Sequence, residues 1–126
     1  MARVARIDWA RNAAGITDPA YWAGSLRPTP TVNWYLDAIT AAVDEAKAAS
    51  GSSRVALVAH SAGGWMARVW LGQRGRLDDV ALLLTLGSPL RAPPPGGFDQ
   101  TRGILSWVAS NCPGPADLAS AVGYHS

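Results

Sequence analysis

The most constraining feature of the sequence is a short apolar run that leads directly into small residues and then into a helical pattern. The run V-A-L-V-A at 55–59 is too short for a helix and is bounded by turn residues, which is typical of a parallel strand covered on both faces. It continues as A-H-S-A-G-G over 59–64. The spacing of Met66, Val69 and Trp70 predicts a helix over 61–71, with Gly72 and Gly75 as stop signals. This order predicts a strand, a tight turn and a helix.

The segments on either side continue the alternation. A β-prone run at 4–7 precedes a region, 11–30, whose prolines and glycines predict a long loop. Apolar positions at three- and four-residue steps predict a helix over 34–49 that stops at Ser50-Gly51. A second buried strand is predicted over 80–86, a stiff surface loop over 91–97 and a helix over 101–110. The pattern predicts one α/β domain over 1–126, with a parallel sheet, helices on both faces and its core at 54–90.

Composition and charge exclude several classes of function. The net charge is only +2, and the basic residues, ten of the eleven being arginine, are scattered, so no nucleic-acid surface is predicted. Cys112 is the single cysteine, and no Cys/His grouping has metal-ligand spacing, so neither a metal nor another cofactor is expected. No transmembrane segment and no secretory signal are predicted, which leaves the compartment open between cytoplasm and plastid. The oligomeric state is not indicated.

The turn at 59–64 carries the predicted chemistry. In G-x-S-x-G elbows the serine occupies a strained strand-to-helix turn that projects its hydroxyl above the sheet. Here Ser61 takes that place. The small residues Ala59 and Gly63, two positions before and after it, are expected to pack against each other across the turn. The following helix directs its N–H groups at the reaction centre, and the Ala62 backbone N–H is the predicted oxyanion donor. A plain structural βα turn is the alternative, and His60 is expected to be a packing residue.

These stretches resemble a known family. V-A-L-V-A-H-S-A-G-G-W-M-A-R-V-W-L and the later L-L-L-T-L-G-S-P-L are similar to the lipase-like α/β-hydrolases, which have an H-S-x-G-G elbow and a strand ending in T-L-G-T-P-H. R-I-D-W-A-R-N-A-A-G and F-D-Q-T-R-G-I-L resemble a plant, algal and cyanobacterial branch that is distantly similar to the GPI inositol-deacylases. The resemblance covers about 4–112 and departs at Ser88 and Leu90. It implies a serine hydrolase that cleaves a carboxylic ester, of the acyl or lipid type, through an acyl-enzyme on Ser61.

No acid or base partner of Ser61 is assigned from the sequence. In this fold the triad runs in the order serine, acid, histidine. The groups available after Ser61 are Asp78, Asp79, Asp99, Asp117 and His125. Asp78 and Asp79 precede a strand and are expected to face solvent, Asp99 is expected to be a loop residue, and His125 lies in a tail with no predicted strand. The resemblance places acid and base after two later strands, and the second oxyanion donor on an earlier strand, so the chain is expected to be truncated at both ends.

Three functions therefore stay open at this point. The first is ester hydrolysis by Ser61, the second is an inactive truncated hydrolase fragment, and the third is acyl transfer through the same acyl-enzyme. Among the six tryptophans, Trp65 and Trp70 are expected to pack in the core. Trp22 and Trp34 could serve either packing or binding.

Overall fold

The computed structural model describes residues 2–6, 8–89, 91, 94, 96–98, 101–112 and 123–125. Its helices are α1 (Trp9–Ala14), α2 (Pro19–Trp22), α3 (Pro28–Thr31), α4 (Asn33–Ser50), α5 (Gly63–Arg74) and α6 (Ile104–Asn111). Two 3₁₀ turns cover Gly15–Thr17 and Leu77–Asp79. The strands are β1 (Val55–His60), β2 (Val80–Leu86) and β3 (Gly123–His125).

The three strands form one parallel sheet in the order β1-β2-β3. Leu57 pairs with Leu83, and the β1–β2 register runs on to His60 opposite Leu86. Helix α5 connects these two parallel strands, as a parallel pair requires a crossover. The predicted α/β class with a parallel sheet is confirmed.

Helix α5 is central to the packing. It contacts α4, α6 and both β1 and β2, and its residues from Gly64 to Leu71 are all buried. Trp70 is fully buried, and its indole N–H donates to Thr40 Oγ1 of α4 at 2.9 Å. Trp65 is also buried, so the prediction that Trp65 and Trp70 belong to the core is confirmed.

The two faces of the sheet differ. Along β1, half-buried residues alternate with exposed ones, and the exposed set includes Val58 at 66%. On β2, Leu83 and Thr85 are buried, whereas Leu86 is 49% exposed. The apolar run of β1 predicted burial on both faces. In the part of the chain that the structure describes, the second face of β1 is open, because α4 and α5 both pack against the opposite face.

The two long helices end at glycines, as the sequence predicts for Gly51 and Gly75. Gly51 has φ 66° and Gly75 has φ 63°, which is the left-handed conformation that glycine adopts most cheaply. The Gly51 N–H returns to the Lys47 carbonyl at 2.9 Å. Gly72, also predicted as a stop, lies inside α5.

Two predictions for the amino-terminal region are wrong. Residues 4–6 form no strand, while Ile7 lies outside the described residues. The region predicted as a long loop contains short helices instead, because local capping starts them without any apolar periodicity. Asp18 accepts a hydrogen bond from the Ala20 N–H at 2.9 Å, and Pro19 occupies the first helical position of α2.

The tail also differs from its prediction. Gly123–His125 forms β3, which pairs with β2 so that His125 lies opposite Leu84. A three-residue strand carries no periodic signal of its own, so only its pairing with β2 defines it. None of the helices in the described ranges combines the length and apolar character needed to cross a membrane.

Candidate active site

Ser61 lies in the turn between the carboxyl end of β1 and the start of α5. Its φ is 53°, so a residue with a side chain occupies the left-handed region. The Ser61 N–H donates to the Leu86 carbonyl at the end of β2, at 3.0 Å. This bond anchors the strained turn to the neighbouring strand. The Ser61 side chain is exposed, so the turn presents its hydroxyl to solvent.

Ala62 begins the helix that follows. Its φ and ψ are −57° and −24°, and its carbonyl accepts a hydrogen bond from the Met66 N–H at 3.1 Å. Within the described ranges no group accepts the Ala62 N–H, and no side chain caps α5. The N–H and the positive end of a 12-residue helix therefore meet beside Ser61. Such a pair can stabilise negative charge that develops on a carbonyl oxygen.

The steric demand for small residues falls on Gly64 more than on Gly63. A Cβ at position 63 would lie 3.7 Å from Ala59 Cβ and 3.9 Å from Tyr35 Oη, which is ordinary contact. A Cβ at position 64 would lie 2.4 Å from Ser88 Cβ and 3.1 Å from Thr85 Cγ2. Ala59 and Gly63 are neighbours across the turn, as expected. Gly64 is the position where a methyl group does not fit.

Ser88, which appears in the sequence only as a departure from the family motif, is also a residue of the site. It follows Gly87, which ends β2 with φ 57°, and it packs against Gly64. Its Oγ is buried and has no hydrogen-bond partner among the described residues. The carboxyl ends of adjacent parallel strands meet at one edge of a sheet, so the position of Ser88 directly after β2 could have indicated this contact.

Tyr35 of α4 is another residue near the turn that no sequence motif indicates. Its hydroxyl donates to the Ala5 carbonyl at 3.3 Å, which connects α4 to the amino-terminal segment. Burial raises the pKa of Tyr35 above its usual value. The phenol therefore stays protonated near neutral pH, and it can act as a hydrogen-bond donor but not as a base.

Asp79 has a structural role at the opposite end of the sheet. The sequence predicted that it faces solvent, but its side chain is only 17% exposed and forms ion pairs with Lys47 and Arg76. Hydrogen bonds from Lys47 and then Arg76 hold the pKa of Asp79 below its usual range. The expectation is wrong because the 3₁₀ turn at Leu77–Asp79 directs this side chain between α4 and the end of α5. Asp78 is exposed, as expected.

The structure describes no side chain for the remaining acid and base candidates. Asp99 and Asp117 lie outside the described residues. The backbone of His125 lies in β3, opposite Leu84, and its side chain also lies outside what the structure describes. His60 is exposed at the end of β1, so the prediction of a packing residue is wrong, since its side chain lies on the open face of the sheet.

No described carboxylate or imidazole forms a hydrogen bond with Ser61 Oγ. Within the same residues, no group of three or more His, Cys, Asp or Glu side chains could hold a metal ion. The reactive groups in the described residues are therefore an exposed hydroxyl on a strained turn and, next to it, one backbone N–H with no described acceptor.

A protein-family model matches the chain. The family model described as PGAP1-like alpha/beta domain matches residues 29–105, which include the turn around Ser61 and both long helices. No curated protein and no solved structure matches the chain.

Proposed function

Since the chain belongs to the family of PGAP1-like alpha/beta domains, within the α/β-hydrolase superfamily, we propose that it is a serine hydrolase of carboxylic esters. Ser61 is its nucleophile, and the substrate is an acyl or lipid ester. The resemblance seen in the sequence and the matched family point to the same superfamily. The substrate class rests on the likeness to GPI inositol-deacylases.

The observation that carries the proposal is the backbone of Ser61. A left-handed conformation in a residue other than glycine costs about 1–2 kcal/mol. Residues held in such conformations cluster at functional sites, where surrounding structure maintains them. Here the surrounding structure is the Leu86 carbonyl on one side and the packed Gly64–Ser88 contact on the other. A plain βα turn would have no need of this strain.

The proposed reaction follows from that placement. Ser61 Oγ attacks the ester carbonyl and gives its proton to a base, and the resulting tetrahedral oxyanion accepts a hydrogen bond from the Ala62 N–H. Collapse of this intermediate breaks the bond to the alcohol, which leaves with a proton, and an acyl-enzyme remains on Ser61. Water then attacks the acyl carbonyl and releases the carboxylic acid and free Ser61.

A fluorophosphonate probe tests the nucleophile directly. We expect the wild-type chain to be labelled and the Ser61→Ala variant to remain unlabelled. Ser53→Ala, which changes an exposed loop serine, is the matched control and should label like the wild type. Labelling that persists in Ser61→Ala, or a folded wild-type chain that does not label, would contradict the proposal.

A second candidate is a folded domain without turnover. It is favoured by one observation, that no described carboxylate or imidazole hydrogen-bonds to Ser61 Oγ. Loss of triad partners leaves only about 10³–10⁴-fold catalysis over water from binding and the oxyanion hole. Hydrolysis of p-nitrophenyl butyrate separates the two candidates. Turnover lost in Ser61→Ala supports the hydrolase, whereas a cooperatively folded chain with no turnover supports the second candidate.

A further inference from the structure

An exposed cluster of aromatic side chains surrounds an arginine on the surface that joins the amino-terminal helices to the segment before α6. The cluster, called the aromatic–arginine patch below, consists of Ile16, Tyr21, Trp22, Phe98 and Arg102. Trp22 is 70% exposed, Phe98 is 73% exposed and Ile16 is 46% exposed. Three large apolar side chains in one exposed patch are unusual, because single exposed apolar residues are the normal case.

The orientation of Trp22 is held by neighbours inside the patch. Its indole N–H donates to the Ile16 carbonyl at 3.1 Å, and its ring meets Tyr21 edge-on with centroids 5.3 Å apart. The polar atom of the indole is therefore satisfied within the protein. The exposed remainder of the ring is apolar surface, available for contact with another phase or molecule.

Arg102 provides the charge of the patch. Its guanidinium carbon lies 5.0 Å from the centroid of the Tyr21 ring and 5.3 Å from that of Phe98. No carboxylate in the described ranges forms an ion pair with Arg102. Asp18, the acidic residue nearest in sequence to Trp22, accepts a hydrogen bond from the Ala20 N–H. The positive charge thus lies among rings with no described anionic partner.

The backbone under Arg102 is fixed. Arg102 has φ 52°, and its carbonyl accepts a hydrogen bond from the Leu26 N–H at 2.8 Å. Gly103 packs so tightly that a Cβ there would lie 2.2 Å from the Gly24 carbonyl oxygen. The two segments of the patch are consequently held together before any ligand arrives, which reduces the entropy lost on binding.

The patch is connected to the same end of the sheet as Ser61. Phe98 and Arg102 belong to the segment that leaves the carboxyl end of β2 at Gly87, and the β1–Ser61 turn is held to Leu86 at that end. The segment that carries Phe98 and Arg102 therefore follows, in the sequence, the strand end to which the strained turn is held.

We propose that the aromatic–arginine patch is a surface that lies on a lipid bilayer containing anionic phospholipids. Trp and Tyr rings favour the headgroup level of a bilayer, and an arginine that has no carboxylate partner among the described residues can attract anionic lipid. In such a bilayer the apolar rings would contact acyl chains while the arginine contacts the phosphates above them. Delivery of the ester from the bilayer to Ser61 rests on the proposed function. The membrane contact itself does not.

Vesicle co-sedimentation tests the contact. The whole chain is mixed with phosphatidylcholine vesicles that contain 30% phosphatidylglycerol, and with phosphatidylcholine alone. We expect the wild type to bind the mixed vesicles. The double variant Trp22→Ala/Phe98→Ala should bind about tenfold or more weakly, because it lacks the two rings that the wild type would bury in the bilayer. Val58→Ser is the control, since Val58 is exposed to a similar degree on the open sheet face. It should bind like the wild type.

Arginine variants test the preference for anionic lipid. We expect Arg102→Gln to weaken binding to the mixed vesicles about fivefold and to leave binding to phosphatidylcholine unchanged, because one basic residue near such a surface has an effect of that order. Arg102→Lys keeps the charge and should restore most of the binding. Equal loss in both variants would contradict the electrostatic part of the proposal.

Other results overturn the proposal. These are no sedimentation with either vesicle, equal binding by wild type and double variant, or loss of binding in Val58→Ser. A dimer in solution that Trp22→Ala/Phe98→Ala dissociates would assign the patch to a second copy of the chain instead.

Failure of the membrane contact is distinguishable from failure of the proposed function. Ser61→Ala should bind vesicles like the wild type, and the double variant should keep hydrolysis of water-soluble p-nitrophenyl butyrate. Turnover without vesicle binding overturns only the patch, and vesicle binding without turnover overturns only the hydrolase.

Discussion

Polar groups are paired at one end of the parallel sheet and lack described partners at the other. At the amino end of β2, Asp79 forms ion pairs with both Lys47 and Arg76, and Arg76 also pairs with Asp44. At the carboxyl end, Ser61 is strained, the Ala62 N–H has no described acceptor and the buried Ser88 hydroxyl has no partner among the described residues. Paired groups stabilise a fold, whereas unpaired and strained groups reduce stability and are typical of functional sites.

This difference gives each end a distinct mutational behaviour. Substitutions at the amino end should change stability and leave the reactivity of Ser61 intact. Substitutions at the carboxyl end should change reactivity, and some of them should raise stability because they remove strain or an unpaired polar group. The predictions below test this contrast, from the largest expected effect to the smallest.

The largest effect is expected for Ser61→Gly. Removal of the hydroxyl should abolish fluorophosphonate labelling, a loss of at least a thousandfold in rate. Glycine adopts φ 53° without the penalty of a Cβ, so the free energy of unfolding should rise by about 1 kcal/mol. Urea unfolding and probe labelling measure the two effects. A variant that is less stable than the wild type would contradict strain at this turn.

The next effect separates the two glycines of the elbow. Gly64→Ala should lower the free energy of unfolding by about 2–3 kcal/mol and reduce labelling, because its methyl group would overlap Ser88. Gly63→Ala is the matched control. Its methyl group makes only ordinary contacts, and alanine favours helix by up to about 1 kcal/mol, so stability should be unchanged or higher. Equal destabilisation by both substitutions would contradict the described packing.

At the amino end, Asp79→Asn should lower the free energy of unfolding by about 1 kcal/mol while labelling of Ser61 stays unchanged. The pKa of Asp79 is lowered in the folded chain. Its stabilising contribution is therefore present above the unfolded pKa of about 4 and is lost as pH falls below that value. Urea midpoints measured between pH 6 and pH 3 should converge for wild type and variant at the acid end. A constant difference would contradict the ion-pair origin.

The smallest effect is expected for Ser88→Ala. The Ser88 Oγ is buried without a described partner, so its removal should leave stability unchanged or raise it by up to about 1 kcal/mol. Labelling of Ser61 should remain, because the contact of Ser88 Cβ with Gly64 is kept. A clear loss of stability, measured by thermal unfolding, would show that the hydroxyl has a partner in solution.

The sequence determined the central elements of the fold. The apolar runs at 55–59 and 80–86 became β1 and β2, and the periodic pattern at 34–49 became α4, because each is long enough for its own pattern to predict its structure. The turn at Ser61 was recognisable for a similar reason. A buried strand, small residues and a helix follow one another within one short stretch of chain.

Short elements needed their tertiary partners. β3 is a three-residue strand that exists by pairing with β2, and the turns of α1 to α3 depend on local caps and proline positions, with no apolar periodicity behind them. Such segments have too few residues for a periodic signal. The open second face of β1 was equally unreadable, since an apolar run does not reveal which of its faces a helix covers.

The roles of individual side chains were decided by contacts distant in sequence. Asp79 pairs with Lys47, 32 residues earlier, and Arg102 lies over the Tyr21 ring. Ser88 packs on Gly64. The position where no methyl group fits is therefore Gly64, one residue beyond Gly63, which the motif predicted. Local sequence therefore determined where the strained serine lies. Packing between strands and helices decided which neighbours constrain it, because steric fit and ion pairing depend on distances in space.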